Sequence, residues 1–135
     1  MTEAQLWQLV KRNVEGHLVR IENTSGSGTP DVHGCSRGQD MWIELKLAKG
    51  RWLHFRSSQL AWFAKRQGAG GKVRILFRKL DEIYITSADE ILKLIDQAVP
   101  NKDKSVRFPI EIIPSQKFFK PWDWSVIRNN LFSVH

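Results

Sequence analysis

The segment PDVHGCSRGQDMWIELKL, residues 30–47, carries the clearest structural pattern in the chain. Its two ends, 30–35 and 41–47, are rich in apolar and β-favouring residues and predict two strands. The segment between them, SRGQD at 36–40, has the composition of a turn. We therefore expect an antiparallel hairpin in which the numbers of paired residues sum to about 76, give or take one or two.

Charged side chains of this hairpin are expected to converge on one face. Side chains alternate along a strand, so Glu44 and Lys46 share the face opposite Ile43 and lie about 7 Å apart. In the favourable register Asp31 lies across from Glu44, Leu45 or Lys46, whereas a slip of one residue would turn it to the other face. Two close carboxylates repel unless a cation joins them. Oxygen ligands favour Mg²⁺, with Mn²⁺ as a substitute. The alternative is that Glu44 and Lys46 form an ordinary surface ion pair.

Helices and further strands are predicted on both sides of the hairpin. In chain order these are a helix at 2–14, a strand at 17–22, a Ser/Gly loop at 23–29, the hairpin, a helix at 57–67, strands at 73–77 and 82–86, and a helix ending near 98. Thr2 with Gln5 matches a capping box for the first helix, and Ser57 or Ser58 is the expected cap of the second. This order predicts an α/β fold, a central mixed sheet flanked by helices.

The C-terminal part combines a polar segment, an apolar segment and an aromatic, basic segment. The 135 residues fit a single domain, with a core at about 1–99 and an extension at about 100–135. Segment 100–104 has the composition of a polar linker, and 108–113 of a strand that Pro109 restricts to a sheet edge. Segment 118–124 mixes aromatic residues with Lys and Pro. It either folds back over the core, which we prefer, or forms a nucleic-acid or dimer surface.

The composition narrows the class of partner. Lys and Arg number 21 against 14 Asp and Glu, a formal net charge of +7. A polyanion is therefore a plausible partner, nucleic acid first, although a basic but otherwise ordinary surface is the alternative. The single cysteine, Cys35, excludes an intramolecular disulfide and a Cys-rich zinc site. We expect an intracellular protein, because we find neither an apolar signal segment nor an apolar run of about 18 residues.

Three short segments carry a resemblance to a known group of enzymes. TPD at 29–31, WIELK at 42–46 and SQL at 58–60 are similar to the motifs of the PD-(D/E)xK nuclease superfamily. Within it, the chain most resembles small VRR-NUC type phage nucleases and archaeal Holliday junction resolvases. The resemblance covers about 2–77 and does not extend to the C-terminal tail. It implies a restriction-endonuclease-like core.

The resemblance implies roles for the residues that match the motifs. Asp31 and Glu44 would bind the metal, and the backbone carbonyl of Leu45 would supply a further ligand. Lys46 would be the catalytic lysine. It could instead be a simple counterion to Glu44.

Two further parts of the superfamily pattern have candidates here. An acidic residue on the first helix commonly completes the metal site, and Glu3 is the position that matches, with Glu15 and Glu22 as rivals. Gln59 matches a catalytic-site glutamine often found on the helix after the lysine strand, and the alternative is a surface glutamine. The loop at 25–28 resembles a mobile serine-bearing loop of resolvases, or is a flexible linker.

Cations downstream of the hairpin are candidates for contacts with DNA phosphates. These DNA-binding candidates are Lys49, Arg51, Arg56, Lys65 and Arg66. Trp52 and Phe55 lie between them and either stack on unpaired bases or pack in the core; we expect the aromatic rings inside and the cations outside. His33 is expected to be a polar neighbour of the site rather than a zinc ligand, since no second histidine lies at ligand spacing.

The resemblance implies hydrolysis of DNA phosphodiesters with Mg²⁺, on branched DNA such as Holliday junctions. Symmetric cleavage of a junction needs two sites, so a homodimer is expected. One alternative is a nicking or flap nuclease of the VRR-NUC kind. Another is a DNA-binding protein with the same fold and no catalysis, although such a protein has no need for Asp31, Glu44 and Lys46 together.

Overall fold

The computed structural model of this chain describes residues 1–22 and 28–133. The strands of this part are β1 (His17–Arg20), β2 (Val32–Ser36), β3 (Gln39–Leu47), β4 (Trp52–Phe55), β5 (Val73–Lys79), β6 (Glu82–Ser87), β7 (Val99–Pro100), β8 (Val106–Pro109) and β9 (Gln116–Phe119). The helices are α1 (Glu3–Asn13), α2 (Ser57–Gly68), α3 (Ala88–Lys93) and α4 (Trp124–Leu131), with 3-10 turns at Ile95–Gln97 and Ile110–Ile112. No helix in the described residues is long and apolar enough to cross a membrane.

A mixed sheet forms the centre of the molecule. Six strands lie in the order β1-β2-β3-β5-β6-β9, with β3 and β5 parallel and the other neighbours antiparallel. A parallel pair needs a long crossover, and here β4 and α2 supply it. A second sheet of three strands, β4-β8-β7, lies outside the first. The predicted α/β fold with a central mixed sheet flanked by helices is confirmed.

The hairpin register lies within the range that the turn composition predicts. Val32 pairs with Ile43 and Ser36 with Gln39, which agrees with the expected register to within one residue. Arg37 and Gly38 form the two-residue turn with φ of 49° and 80°. A type I′ turn requires positive φ at both positions, and its twist matches that of the flanking strands. Continued by one residue, this pairing brings Asp31 opposite Glu44.

Helices cover both faces of the sheet because its strands are apolar on both sides. Along β5, Leu76 packs with α1 and α4, whereas Ile75 and Phe77 pack with α2 and α3. Along β3, Ile43 belongs to the α1 side and Trp42 to the α2 side. Since side chains alternate, Glu44 and Lys46 share the α2 face with Trp42. Ile43 is fully buried on the α1 side, and helix α2 faces the charged pair.

The C-terminal tail folds back on the sheet. Ile127, Leu131 and Phe132 are buried in the same core cluster as α1. Gly34 leaves room for this contact, since a Cβ there would lie 3.0 Å from the Phe132 ring. Arg128 is buried and donates hydrogen bonds to the side chain and the carbonyl of Ser36, at 2.8 and 3.1 Å. Residues beyond 99 therefore take part in the main core.

Several element predictions in this region are wrong in detail. The third helix ends at Lys93 instead of near 98, because the chain turns into β7, which pairs with β8. The predicted linker at 100–104 is the turn between these two strands. The predicted strand at 108–113 is β8 followed by a 3-10 turn, in which the Ile110 amide bonds to the Arg51 carbonyl. Neither α4 nor β4 was expected.

The expected serine cap of α2 is also wrong. Arg56 is the cap residue, and its amide donates to the Gln59 side chain at 2.9 Å. Ser57 instead donates its hydroxyl to the carbonyl of Lys104 at 2.8 Å. The capping box of Thr2 and Gln5 on α1 is confirmed.

Candidate active site

A cleft of about 630 Å³ opens between the end of β3, the start of α2 and the turn that joins β7 to β8. Asp31, Glu44, Lys46 and Gln59 all line it. The hairpin register brings Asp31 opposite Glu44, and the alternation of side chains along β3 puts Lys46 beside them. The start of α2 supplies Gln59.

Asp31 is tied to β3 through two hydrogen bonds. Its amide donates to Glu44 Oε1 at 3.2 Å. Its Oδ2 accepts from the Leu45 amide at 3.1 Å. The second bond holds the Asp31 side chain against the strand that bears Glu44, so the two carboxylates lie at the same place in the cleft.

Gln59 connects Glu44 with Lys46. Its Nε2 donates to Glu44 Oε2 at 2.8 Å, and its Oε1 accepts from Lys46 Nζ at 2.9 Å. The lysine Nζ is 3.6 Å from Glu44 Oε2. The Gln59 side chain is buried and also accepts from the Arg56 amide, so its amide has one orientation that satisfies all of these partners.

The backbone that carries Gln59 lies against Gly28. A Cβ at Gly28 would be 2.1 Å from the carbonyl oxygen of Ser58 and 2.7 Å from the Gln59 nitrogen. The φ of Gly28 is +79°, a conformation that only glycine adopts readily. This close approach fixes where α2 begins relative to the cleft. Ser25, Gly26 and Ser27 of the predicted serine-bearing loop lie outside the described residues.

Burial has the largest effect on the pKa values of Glu44 and Lys46. Glu44 is only 2% exposed, and burial, followed by the charge of Asp31, raises its pKa to about 8 despite the nearby Lys46 ammonium. Burial likewise lowers the pKa of Lys46, and the surrounding carboxylates oppose that shift. A raised pKa in a buried carboxylate means that the neighbouring groups only partly offset the cost of burying its negative charge. A further cation would stabilise its ionised form.

The residues present fit a hard divalent cation. The donors are carboxylate oxygens of Asp31 and Glu44, the type that Mg²⁺ and Mn²⁺ prefer. The backbone of Leu45 lies at the same point, bonded through its amide to Asp31. Within residues 1–22 and 28–133, no three His, Cys, Asp or Glu side chains form a preformed metal cluster.

The three candidate acids for completing the site lie in different places. Glu3 lines the cleft at the start of α1, and its charge acts on both Glu44 and Lys46. Glu15 forms an ion pair with Arg37 at 3.0 Å on the surface. Glu22 is exposed beyond β1. Of these three, Glu3 is the one that lines the cleft.

Of the five cations predicted to contact DNA, two line the cleft and three lie outside it. Lys49 and Arg56 line the cleft. Arg51 lies over the Trp52 ring and pairs with Glu111. The other two, on α2, lie outside the cleft: Lys65 is exposed, and Arg66 lies over two tryptophan rings.

Sequence reasoning missed one wall of the cleft. It is lined by His54 of β4 and by Asn101, Lys102, Asp103 and Ser105 of the β7–β8 turn. The Asn101 side chain lies 3.2 Å from His54 Nδ1 and 2.8 Å from Ser105 Oγ. The alternating burial along β4, with Leu53 and Phe55 inside, is a pattern that could have indicated this strand. Nothing local in 100–104 points to the cleft.

His33 and Cys35 do not take part in the cleft. His33 stacks on Trp42 with ring centroids 4.6 Å apart. Cys35 is exposed on β2. Phe55 is buried as expected, with the Lys46 ammonium 4.8 Å from its ring centre.

Comparison with solved structures identifies a similar fold. No family model and no curated protein matches the sequence. The chain is similar to Hjc of Archaeoglobus fulgidus, a Holliday junction resolvase from an archaeal hyperthermophile, with a TM-score of 0.52. The two share 13% sequence identity over 85% of this chain and 94% of that chain. The likeness shows the fold, and the expected restriction-endonuclease-like core is confirmed.

Proposed function

We propose that this chain is a metal-dependent endonuclease that hydrolyses phosphodiester bonds of DNA. The observation that carries the proposal is the hydrogen-bonded group of Asp31, Glu44, Gln59 and Lys46 in one open cleft. Paired carboxylates beside a lysine suit phosphodiester hydrolysis, because the reaction must both activate water and stabilise negative charge on the phosphate.

The acidic residues would hold the metal. Asp31 and Glu44 would supply carboxylate oxygens, the Leu45 carbonyl a further oxygen, and Glu3 the remaining acid from α1. Mg²⁺ bound there would neutralise charge on the phosphodiester and lower the pKa of water, and Mn²⁺ is expected to substitute. The raised pKa of Glu44 supports this assignment, since its charge lacks full compensation from the protein.

Lys46 would act on the reacting phosphate and water. The Gln59 side chain holds its Nζ at 2.9 Å and so limits where the ammonium can point. From there it can orient the attacking water or stabilise the charge that develops on phosphate oxygens. Lys49 and Arg56 line the same cleft and would contact neighbouring phosphates, which positions the DNA without reading its sequence.

Branched DNA is the substrate class we propose, Holliday junctions first. The support is the structural likeness to a Holliday junction resolvase. Symmetric cutting of such a junction requires two sites, so the active form would be a homodimer, acting inside a prokaryotic or phage-infected cell. A nicking or flap nuclease is the alternative within enzymes.

A cleavage assay on a panel of substrates tests this function. Labelled four-way junction, flap and linear duplex are incubated with Mg²⁺, with Mn²⁺ and with chelator. We expect metal-dependent cutting of the junction in preference to the duplex. Preference for the flap would favour the alternative nuclease. Binding without cutting of any substrate would contradict the enzyme and favour a non-catalytic DNA-binding protein. Sedimentation of the protein with and without junction DNA tests the dimer.

A further inference from the structure

Next to the cleft, four side chains form a group of contacting planar groups that the proposed chemistry does not use. The ring of His33 lies on Trp42 at 4.6 Å between centroids and 23° between planes. Trp42 meets Trp62 edge-on at 5.4 Å. The guanidinium of Arg66 is 5.6 Å from the Trp42 ring centre and 4.6 Å from that of Trp62. We call these four residues the aromatic cluster.

The aromatic cluster borders a cavity of its own. About 440 Å³ of space adjoins His33, Trp42 and Arg66, a volume in the range of pockets that take small ligands. His33, whose side chain is 43% exposed, and the half-buried Trp42 are accessible from this side. Trp62 is half-buried as well and lines an adjoining cavity that it shares with Lys65 and Arg66. Rings that serve only the core, such as Phe63, are fully buried.

Gly71 fixes the position of Arg66. A Cβ at Gly71 would lie 2.4 Å from Cδ and 2.8 Å from Cγ of Arg66, so the arginine stem occupies the place of a side chain. The Gly71 amide also donates to the Arg66 carbonyl at 2.9 Å. The guanidinium is therefore held in place before any ligand binds, which lowers the entropic cost of binding.

The aromatic cluster continues the cleft. One face of β3 carries Trp42, Glu44 and Lys46 in a row. The helix α2 lies beside this row and carries Gln59, Trp62 and Arg66. Trp42 is two residues from Glu44, about 7 Å along the strand. Stacked nucleotides of one strand are about 3.4 Å apart. A strand whose phosphate lies at Glu44 would bring a base one or two nucleotides away to the cluster.

The ring-lined side of the cavity favours a base as its occupant. The charged lining is mixed, with Arg66 and Lys72 beside the Asp40 carboxylate, so charge alone selects neither a phosphate nor a base. The Asp40 carboxylate, 3.8 Å from His33 Nε2, would accept a hydrogen bond from a base amino group. Aromatic rings and a guanidinium plane are the groups that stack on unpaired bases. The exposed Lys65 on α2 is available for the phosphate beside such a base.

We propose that the aromatic cluster stacks on an unpaired nucleobase of single-stranded DNA, one or two nucleotides from the phosphodiester in the cleft. The distance to the cut rests on the proposed nuclease function, but the stacking is measured without any cutting. The substrate class is then DNA with unpaired bases beside the scissile phosphate, as at a flap, an end or an open junction.

The first test uses binding of a fluorescein-labelled oligo(dT) and of a matched duplex in chelator, followed by anisotropy. Trp62→Ala and Arg66→Gln should weaken single-strand binding about 5- to 150-fold, the range for loss of one stacked base. Duplex binding by Trp62→Ala, which keeps every charge, should change less than about threefold, and Arg66→Gln should weaken single-strand binding by a larger factor than duplex binding. Gly71→Ala, which keeps every ring but displaces Arg66, should weaken single-strand binding in the same direction.

The matched control is Trp122→Ala. Trp122 is also half-buried and lies under two cations, Arg78 and Lys120, away from the cleft. The Trp122→Ala variant should have the wild-type ratio of single-strand to duplex affinity. Equal loss of both affinities in every cluster variant, or no loss in any, would overturn the proposal.

A second test needs no protein variant. Single abasic positions are placed in turn along an unpaired segment that adjoins a duplex, and wild-type affinity is measured for each. We expect affinity to fall at one or two adjacent positions, whereas a uniform response would overturn the proposal. A position-dependent response in a protein that cuts no DNA supports the stacking site and contradicts the nuclease function. Efficient cutting together with a uniform response supports the nuclease function and contradicts the stacking site.

Discussion

Gln59 uses both ends of one amide to hold an acid and a base in place. Its nitrogen donates to Glu44 and its oxygen accepts from Lys46, and the side chain is buried. Without it, the carboxylate would lose a donor and the ammonium an acceptor in a region that solvent barely reaches. A single polar side chain from α2 therefore sets the geometry of the two groups that β3 supplies.

Lys46→Ala tests the role of the lysine. We expect the cleavage rate to fall about 10²–10³-fold, since a group that stabilises charge only in the transition state is removed. Junction affinity, measured in chelator, should change less than about threefold. Lys117→Ala on β9, which is exposed, is the control and should cut at the wild-type rate. Cutting by Lys46→Ala at the wild-type rate would show that the lysine is only a counterion.

The raised pKa of Glu44 predicts a pH dependence of stability. In the unfolded chain this carboxyl ionises near 4.5, whereas in the folded protein it keeps its proton up to about pH 8. The folded state thus binds more protons over this window, so its metal-free stability falls as the pH rises from about 5 to 8. Lys46, whose pKa burial lowers, acts in the opposite sense at higher pH.

Comparing the wild type with Glu44→Gln isolates the contribution of the Glu44 carboxyl to the pH dependence of stability. Free energies of unfolding are measured by urea denaturation in chelator from about pH 5 to 9. The stability of the wild type relative to the variant should decrease with pH, and added Mg²⁺ should reverse part of that decrease. Parallel profiles would contradict the burial of an ionisable Glu44.

At the scale of elements, the hairpin was predictable because its information is local. The turn residues and the alternation of apolar side chains restrict its register to within one or two residues. The structure has the register that brings Asp31 opposite Glu44. Gln59 was found by resemblance to a motif. The β7–β8 turn could not be found this way, because β8 reaches the cleft by pairing with the distant strand β4, as in Leu53 with Phe108.

Gly28→Ala tests how the start of α2 positions the site. The new Cβ would collide with the Ser58 carbonyl, so the backbone that carries Gln59 must shift. We expect the cleavage rate to fall about 10-fold or more, since displacements of about 1 Å are costly to catalysis.

Gly38→Ala is the matched control for this variant. Gly38 has almost the same φ, +80° against +79°, but no described residue beyond its chain neighbours lies within 4 Å of the place that a Cβ would take. Both variants strain the backbone similarly, by about 1–2 kcal/mol, whereas only Gly28→Ala should reduce cleavage at temperatures where both are folded. Equal effects on cleavage would mean that strain alone, and not the contact with α2, explains the loss.

At the scale of the whole molecule, the tail completes the core that supports the hairpin. Residues of α4 cover the α1 side of the sheet, and Arg128 binds the hairpin at Ser36. The aromatic and basic composition of 118–124 could not reveal this, because the helix that packs on the core begins only at its end. The order of apolar residues in α4 shows an amphipathic helix only once its start at Trp124 is known.

Ile127→Ala tests this role of the tail. The side chain is fully buried, and its truncation should lower the free energy of unfolding by about 2–5 kcal/mol. Val126→Ala on the same helix is the control: Val126 is 48% exposed, and its truncation should cost less than about 0.5 kcal/mol. Urea denaturation measures both. Similar small losses in the two variants would contradict the packing of α4 on the core.

The proposed function depends above all on Asp31 and Glu44 holding a metal that cleavage of DNA requires. The rate at which Asp31→Asn cuts labelled branched DNA in Mg²⁺, beside Asp81→Asn at an exposed turn, tests this dependence directly. We expect Asp31→Asn to lose at least about 10²-fold in rate while Asp81→Asn keeps the wild-type rate. Cutting by Asp31→Asn at the wild-type rate would show that Asp31 holds no metal that the reaction needs.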